Sequence, residues 1–200
     1  EGVALVMRAM VFGLLTDLYG DVPYTNGLKG ASGGQDNTFP AYDEQQSIYT
    51  GILTDLDSAN IVLARSADNG ENTIGSADVY YNGNAGSWRK LANSLALRYY
   101  MRLSSKLPSV AQAGIEKIVN DPDQYPLITV ASDDAAMPFA GNSNSDSWPS
   151  NATYEADSSN YRRIKMCNTF VRALQALQDP RLAVWANKVQ IFLHVDDNLP

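Results

Sequence analysis

The side chains with the clearest binding chemistry lie in one polar stretch, Gly141-Asn142-Ser143-Asn144-Ser145-Asp146-Ser147-Trp148-Pro149-Ser150-Asn151. Trp148 has no apolar sequence neighbours there, and Tyr154 and Tyr161 follow in the same setting. An aromatic ring stacks on the apolar face of a pyranose, while amides and carboxylates bond its hydroxyls. Trp148, Asn142, Asn144, Asp146 and Tyr154 are therefore the candidate ligand-binding residues. The competing reading folds Trp148 back onto the scaffold, and the sequence leaves both open.

Catalytic chemistry is harder to assemble. A glycoside hydrolase needs two opposed carboxylates about 5–10 Å apart. The nearest pairs in sequence are Asp55 with Asp57 and Asp133 with Asp134, and neither has surroundings that suggest a raised pKa. Asp133-Asp134 could bind an ion or simply begin a loop. Asp68-Asn69-Gly70-Glu71-Asn72 has the flavour of a calcium loop without EF-hand spacing, so a turn is favoured. The single cysteine, Cys167, forbids an internal disulfide, and the lone His194 leaves little room for histidine chemistry. No Gly-rich phosphate loop, serine elbow or zinc motif is present. No catalytic residue, metal or cofactor is expected.

Charge narrows the partners further. Fifteen basic residues against 22 acidic ones give a net charge of −7. A chain without a basic block lacks the positive stripe that a phosphate backbone requires, so nucleic acid is excluded as a partner class. Arg98, Arg102 and Lys106 recur every four residues, and Arg162-Arg163 precede Lys165. Either group could attract an acidic partner, but a solvated face is the favoured reading of both. With 44% hydrophobic and 18% charged residues, the chain has material for a core and is no disordered segment.

Helical periodicity organises the elements that must position these residues. The first helix is expected over about Val3 to Tyr19, ended by Gly20 and Pro23. Its apolar stretch, Gly2 to Leu15, is interrupted by Arg8 and too short to span a bilayer. The second follows Pro40, with Asp43 and Gln46 as a capping box and Ile48, Ile52, Leu56, Ala59 and Leu63 on one stripe. Gly51 weakens it by about 1 kcal/mol relative to alanine. The third, Trp88 to Ser104, is capped by Ser87 and apolar on more than one side, which places it at the centre of a helical array. Asn93 and Arg98 are its buried polar candidates. The fourth runs from Ser109 to Asn120, with Ser109 and Gln112 as a second capping box and Ile115, Ile118 and Val119 inward. The fifth spans about Asn168 to Gln178, with Phe170, Val171, Leu174 and Leu177 as its apolar face. Long polar loops separate these segments, and the tail from Leu182 to Val195 has no clear assignment. At the first turn, Asp21 is favoured as a turn residue over a ligand contact, and Tyr19 and Tyr24 as core over stacking platforms.

Three motifs in order resemble one known family. Leu18-Tyr19-Gly20-Asp21-Val22-Pro23-Tyr24-Thr25 at a helix end is similar to a segment of SusD/RagB-type lipoproteins. Pro40-Ala41-Tyr42-Asp43-Glu44-Gln45, leading into Ile52-Leu53-Thr54-Asp55-Leu56, resembles the next motif. Asp78-Val79-Tyr80-Tyr81-Asn82-Gly83, followed by Trp88-Arg89-Lys90-Leu91-Ala92-Asn93, resembles the third. The likeness is best from residue 5 to about 140. It implies an all-α, SusD-like array of tetratricopeptide-like helix pairs with long irregular loops. Residues 1–200 would be part of a single such domain, truncated at both ends. It also implies a surface-exposed outer-membrane lipoprotein of Bacteroidetes that binds oligosaccharide, or in some members peptide, without cutting it. Such a protein delivers its ligand to a TonB-dependent, SusC-like transporter and meets the membrane through a lipid anchor outside this fragment. Two alternatives stand beside this one: a helical protein-interaction scaffold with no small ligand of its own, and an α-helical glycoside hydrolase.

Overall fold

A computed structural model describes residues 1–69, 75–139 and 166–186. Seven α-helices occur among them: α1 (Gly2–Tyr19), α2 (Gln35–Thr38), α3 (Gln45–Asp68), α4 (Ala85–Leu103), α5 (Pro108–Val119), α6 (Asn168–Ala176) and α7 (Arg181–Trp185). No strand is present among the described residues, and a single isolated antiparallel bridge joins Val22 to Asp43. The chain divides into two compact units, Glu1–Pro138 and Phe139–Pro200. The expected fold class, a helical array with long loops, is what the chain adopts.

In the first unit α1 packs on α3, α3 on α4 and α4 on α5. The first two pairs run antiparallel. Thr16 near the end of α1 accepts a bond from Gln45 at the start of α3, and Asn60 late in α3 bonds Arg89 and Asn93 early in α4. The expected stripe of α3 is buried throughout, from Ile48 through Ile52, Leu56 and Ala59 to Leu63. Against it lie Val6, Ala9 and Phe12 of α1 and Trp88, Leu91, Ala92, Leu95 and Tyr99 of α4. α4 therefore sits centrally, between α3 and α5 and touching α1. Helix glycines let aromatic rings approach closely: a Cβ on Gly13 would overlap the ring of Tyr99, one on Gly51 that of Tyr24, and one on Gly114 that of Tyr100. Gly51 thus makes room for a ring, a role that its helix propensity alone does not reveal.

The helix ends depart from local expectation. α3 is not closed by a box between Asp43 and Gln46; Asp21, twenty-four residues upstream, accepts the Gln45 amide at 2.9 Å. Asp43 turns away from its own helix, accepting Tyr24 N, Thr25 N and Thr25 Oγ1 at 2.8, 2.9 and 2.7 Å. The favoured reading of Asp21 as an acceptor of backbone amides is the one observed. Asn84, not Ser87, caps α4, its side chain accepting from Ser87 N at 2.8 Å. α5 has Pro108 in its first turn and no side-chain cap, because Gln112 bonds Glu116 instead of reaching back to Ser109. α1 ends as expected at Gly20, whose φ of 75° favours glycine.

Several burial expectations also change. Asn93 is buried as expected, but Arg98 is exposed, its helix position lying off the buried arc that carries Ala92, Leu95, Ala96 and Tyr99. Tyr24 packs edge-on against Phe12 with centroids 4.9 Å apart, whereas Tyr19 lies 72% exposed beyond the last core turn. Ile118 is buried and Ile115 half-buried, while Val119 points outward. The outer side of α1 leaves Val11, Leu14 and Leu18 exposed, which accounts for a mean hydropathy of 1.5 across a helix whose other face is packed.

In the second unit, Cys167 caps α6, with Phe170 N donating to its Sγ at 3.4 Å. Leu174 is buried, but Leu177 is exposed, since α6 stops at Ala176. The short α7 follows Pro180, within a tail that had no assignment from sequence. Its Trp185 stacks on Phe170 at 5.9 Å, and Arg181, paired with Asp179, lies over the same indole.

Candidate functional site

Three helix ends converge around an open groove of about 550 Å³. α1 supplies Asp17 from its last turn. The first turns of α3 supply Gln45, Gln46 and Tyr49. The last turn of α4 and the turn after it bring Arg102, Leu103, Lys106 and Leu107. The antiparallel packing of α1, α3 and α4 is what places these ends together.

Asp17 is neutralised within the groove. The Tyr49 hydroxyl donates to its Oδ1 at 2.5 Å, and the Arg102 guanidinium pairs with Oδ2. Arg102 also lies over the Tyr99 ring, 5.7 Å from its centroid. Burial pushes the Tyr49 phenol up, with Tyr99 adding to the effect and nearby Arg98 opposing it. Gln45 is anchored twice, through its amide to Asp21 and through Nε2 to Thr16 O at 2.7 Å, which leaves Oε1 as an acceptor. The side chains of Gln46 and Lys106 have no bonded partner among the described residues. The lining thus offers amide donors and acceptors, an uncompensated ammonium and a leucine pair, a set suited to holding a polar ligand.

Three of the four carboxylates considered for hydrolysis, Asp55, Asp57 and Asp133, are otherwise engaged, and Asp134 is exposed. Asp55 takes a bidentate bond from Arg8, 2.7 Å from Nε and 2.5 Å from Nη2, and a third from the Tyr24 hydroxyl at 2.9 Å. Asp57, two residues on, pairs with Lys117 at 2.7 Å. Asp133 pairs with Lys90 at 2.8 Å, and that ammonium holds its carboxyl below the usual carboxylate range. A general acid needs the opposite shift. Among the described residues no group of three or more His, Cys, Asp or Glu could hold a metal ion. These aspartates brace the fold: Asp55 ties α1 to α3, and Asp133 ties its loop to α4.

The residues singled out from sequence for ligand binding, Trp148, Asn142, Asn144, Asp146 and Tyr154, lie outside the described residues, as do Tyr161 and the basic cluster at Arg162, Arg163 and Lys165. The groove was not found by sequence reasoning. Its one visible signal was the four-residue spacing of Arg98, Arg102 and Lys106, read as a solvated face. Asp17 and Tyr49, 32 residues apart, meet only after folding.

Residues 1–196 match the profile of the SusD-like family, described as starch-binding and associating with the outer membrane. The chain belongs to this family. Among solved structures, a Bacteroides vulgatus protein proposed to sit in the outer membrane and bind nutrients is 34% identical, with a TM-score of 0.67 over 90% of this chain and 37% of its own. A SusD homolog from Bacteroides uniformis is 31% identical, with a TM-score of 0.59 over 68% of this chain and 26% of its own. A chitin-binding SusD homolog from Flavobacterium johnsoniae is 25% identical, with a TM-score of 0.67 over 91% of this chain and 35% of its own. The chain thus spans between about a quarter and just over a third of these relatives. No curated protein matches.

The three motifs that carried the resemblance are fold-bearing. The first two interlock through Asp21, Asp43 and the Val22–Asp43 bridge. In the third, Asp78 gathers the amides of Tyr80 and Gly83 at 3.0 and 2.8 Å and the Trp88 indole N–H at 2.6 Å. Burial works against the Asp78 charge, but these bonds outweigh it and hold the carboxyl below its ordinary value. A SusD-like chain is recognisable here by the residues that shape its turns.

Proposed function

We propose that this SusD-like chain is the helical part of a surface-exposed lipoprotein that binds oligosaccharide without cleaving it. The ligand passes to a TonB-dependent, SusC-like transporter in the same membrane. The observation that carries this reading is the match of residues 1–196 to a starch-binding, outer-membrane-associated family. A chitin-binding relative of similar fold agrees with it. The ligand contacts we assign to Trp148, Asn142, Asn144, Asp146 and Tyr154, where a ring and several amides share one stretch of chain.

Retention on insoluble starch and chitin tests the reading. The chain should be retained, and Trp148→Ala should weaken retention about tenfold, as expected when one stacking contact worth about 1.5 kcal/mol is lost. Reducing-sugar release by the purified protein would overturn the non-catalytic assignment. Co-purification with a large β-barrel but without glycan retention would favour a purely protein-binding scaffold.

A further inference from the structure

The groove between the ends of α1, α3 and α4 carries an imbalance of charge in a chain whose net charge is −7. Two cations, Arg102 and Lys106, line it against one carboxylate, Asp17. That carboxylate is already satisfied by Arg102 and the Tyr49 hydroxyl. Lys106 is exposed and has no ion pair among the described residues, and Arg98 adds positive charge near Tyr49. The same groove is lined by Gln46, with a free amide, and by Leu103 and Leu107, which offer an apolar strip. An ammonium, an amide and an apolar strip on one concave surface complement a sugar ring that bears a carboxylate.

We propose that this groove is a subsite for an acidic sugar, a hexuronate unit of a polysaccharide, with Lys106 as counter-charge to its carboxylate and Gln46 bonding its hydroxyls. The inference rests on the glycan-binding reading above and adds a substrate class to it. The arrangement favours a sugar over an acidic peptide, because the leucine strip and the amide match a ring's C–H face and hydroxyls, and among the described residues the groove's other cation, Arg102, is already paired with Asp17 and is not left to meet a second peptide carboxylate.

Titration calorimetry on the whole polypeptide tests it, with galacturonate and glucuronate trimers, their methyl esters and an acidic tripeptide as probes. At least one free uronate trimer should bind at least tenfold more tightly than its neutral ester. Lys106→Gln should remove that preference while leaving thermal stability unchanged, since the side chain is exposed and unpaired. The tenfold figure corresponds to about 1.4 kcal/mol, the low end for a hydrogen bond to a charged group. Equal affinity for acid and ester, a preference untouched by Lys106→Gln, or tighter binding of the tripeptide would each overturn the proposal. The starch and chitin assay separates the two readings: neutral glycan retained with indifference to the carboxylate defeats only this subsite, whereas no retention of any glycan defeats both.

Discussion

Tyr24 shows how much a single side chain carries in this fold. Its ring rests on Gly51 and against Phe12, while its hydroxyl donates to Asp55, which Arg8 grips from the other side. Filling the notch with Gly51→Ala should cost about 1–3 kcal/mol by overpacking, read as a lower urea midpoint with unchanged slope. On propensity alone the same change would stabilise α3, so the sign separates the two effects. Alkaline pH offers a second test. Burial first, then the Asp55 carboxylate, push the Tyr24 phenol up to about 12. Burial first, then Asp133, Asp134 and Asp78, do the same to Tyr81. An unfolded tyrosine ionises near 10, so the folded state favours the neutral phenols. Their stabilisation is complete below about pH 10 and is lost as pH rises towards 12. Urea midpoints should fall across that window, and less steeply in Tyr24→Phe. Sequence reading placed Tyr24 in the core correctly, because its turn follows an amphipathic helix. It treated Gly51 as a mere weakness, because the ring that needs the gap is distant in sequence.

Between elements, polar side chains fix the register that apolar burial leaves loose. Asn60, 1% exposed, accepts from Arg89 Nε and Asn93 Nδ2 and donates to Gln124 O. Asn93 also donates to Pro126 O, and Ser94 Oγ accepts the Ile128 amide, so an extended segment is stitched along α4. Asn60→Ala should cost about 1–3 kcal/mol by orphaning buried groups, and the Ile128 amide should exchange faster with deuterium. Asp21→Ala should cost about 1 kcal/mol by uncapping α3. The helices themselves were legible, since stripes such as Ile48-Ile52-Leu56 obey a period that burial enforces. Their caps were not. A capping box is a local pattern, and at Asp43 two backbone amides and a hydroxyl from the preceding turn outcompete it. Where the tertiary partner is stronger, a local motif misleads.

Across the first unit, α1, α3, α4 and the turn after α4 hold a groove whose parts come from widely separated positions. Charge spacing hinted at Arg102 and Lys106, but the carboxylate that satisfies one and leaves the other free lies on a different helix. The family was legible because its motifs encode turns, and turns depend on few residues in fixed order. The pinch between Val22 and Asp43 has one more consequence. It closes the intervening stretch into a hoop whose feet are nailed down by Asp21, Tyr24, Thr25 and Gln45. A closed hoop tolerates lengthening: doubling it adds only about 0.6 kcal/mol of closure entropy. A tag spliced between Gly33 and Gly34, both at positive φ and exposed, should therefore leave the melting transition in place. Leu28, Phe39 and Tyr42, displayed bare on that hoop, can be rewritten without rebuilding the rods beneath.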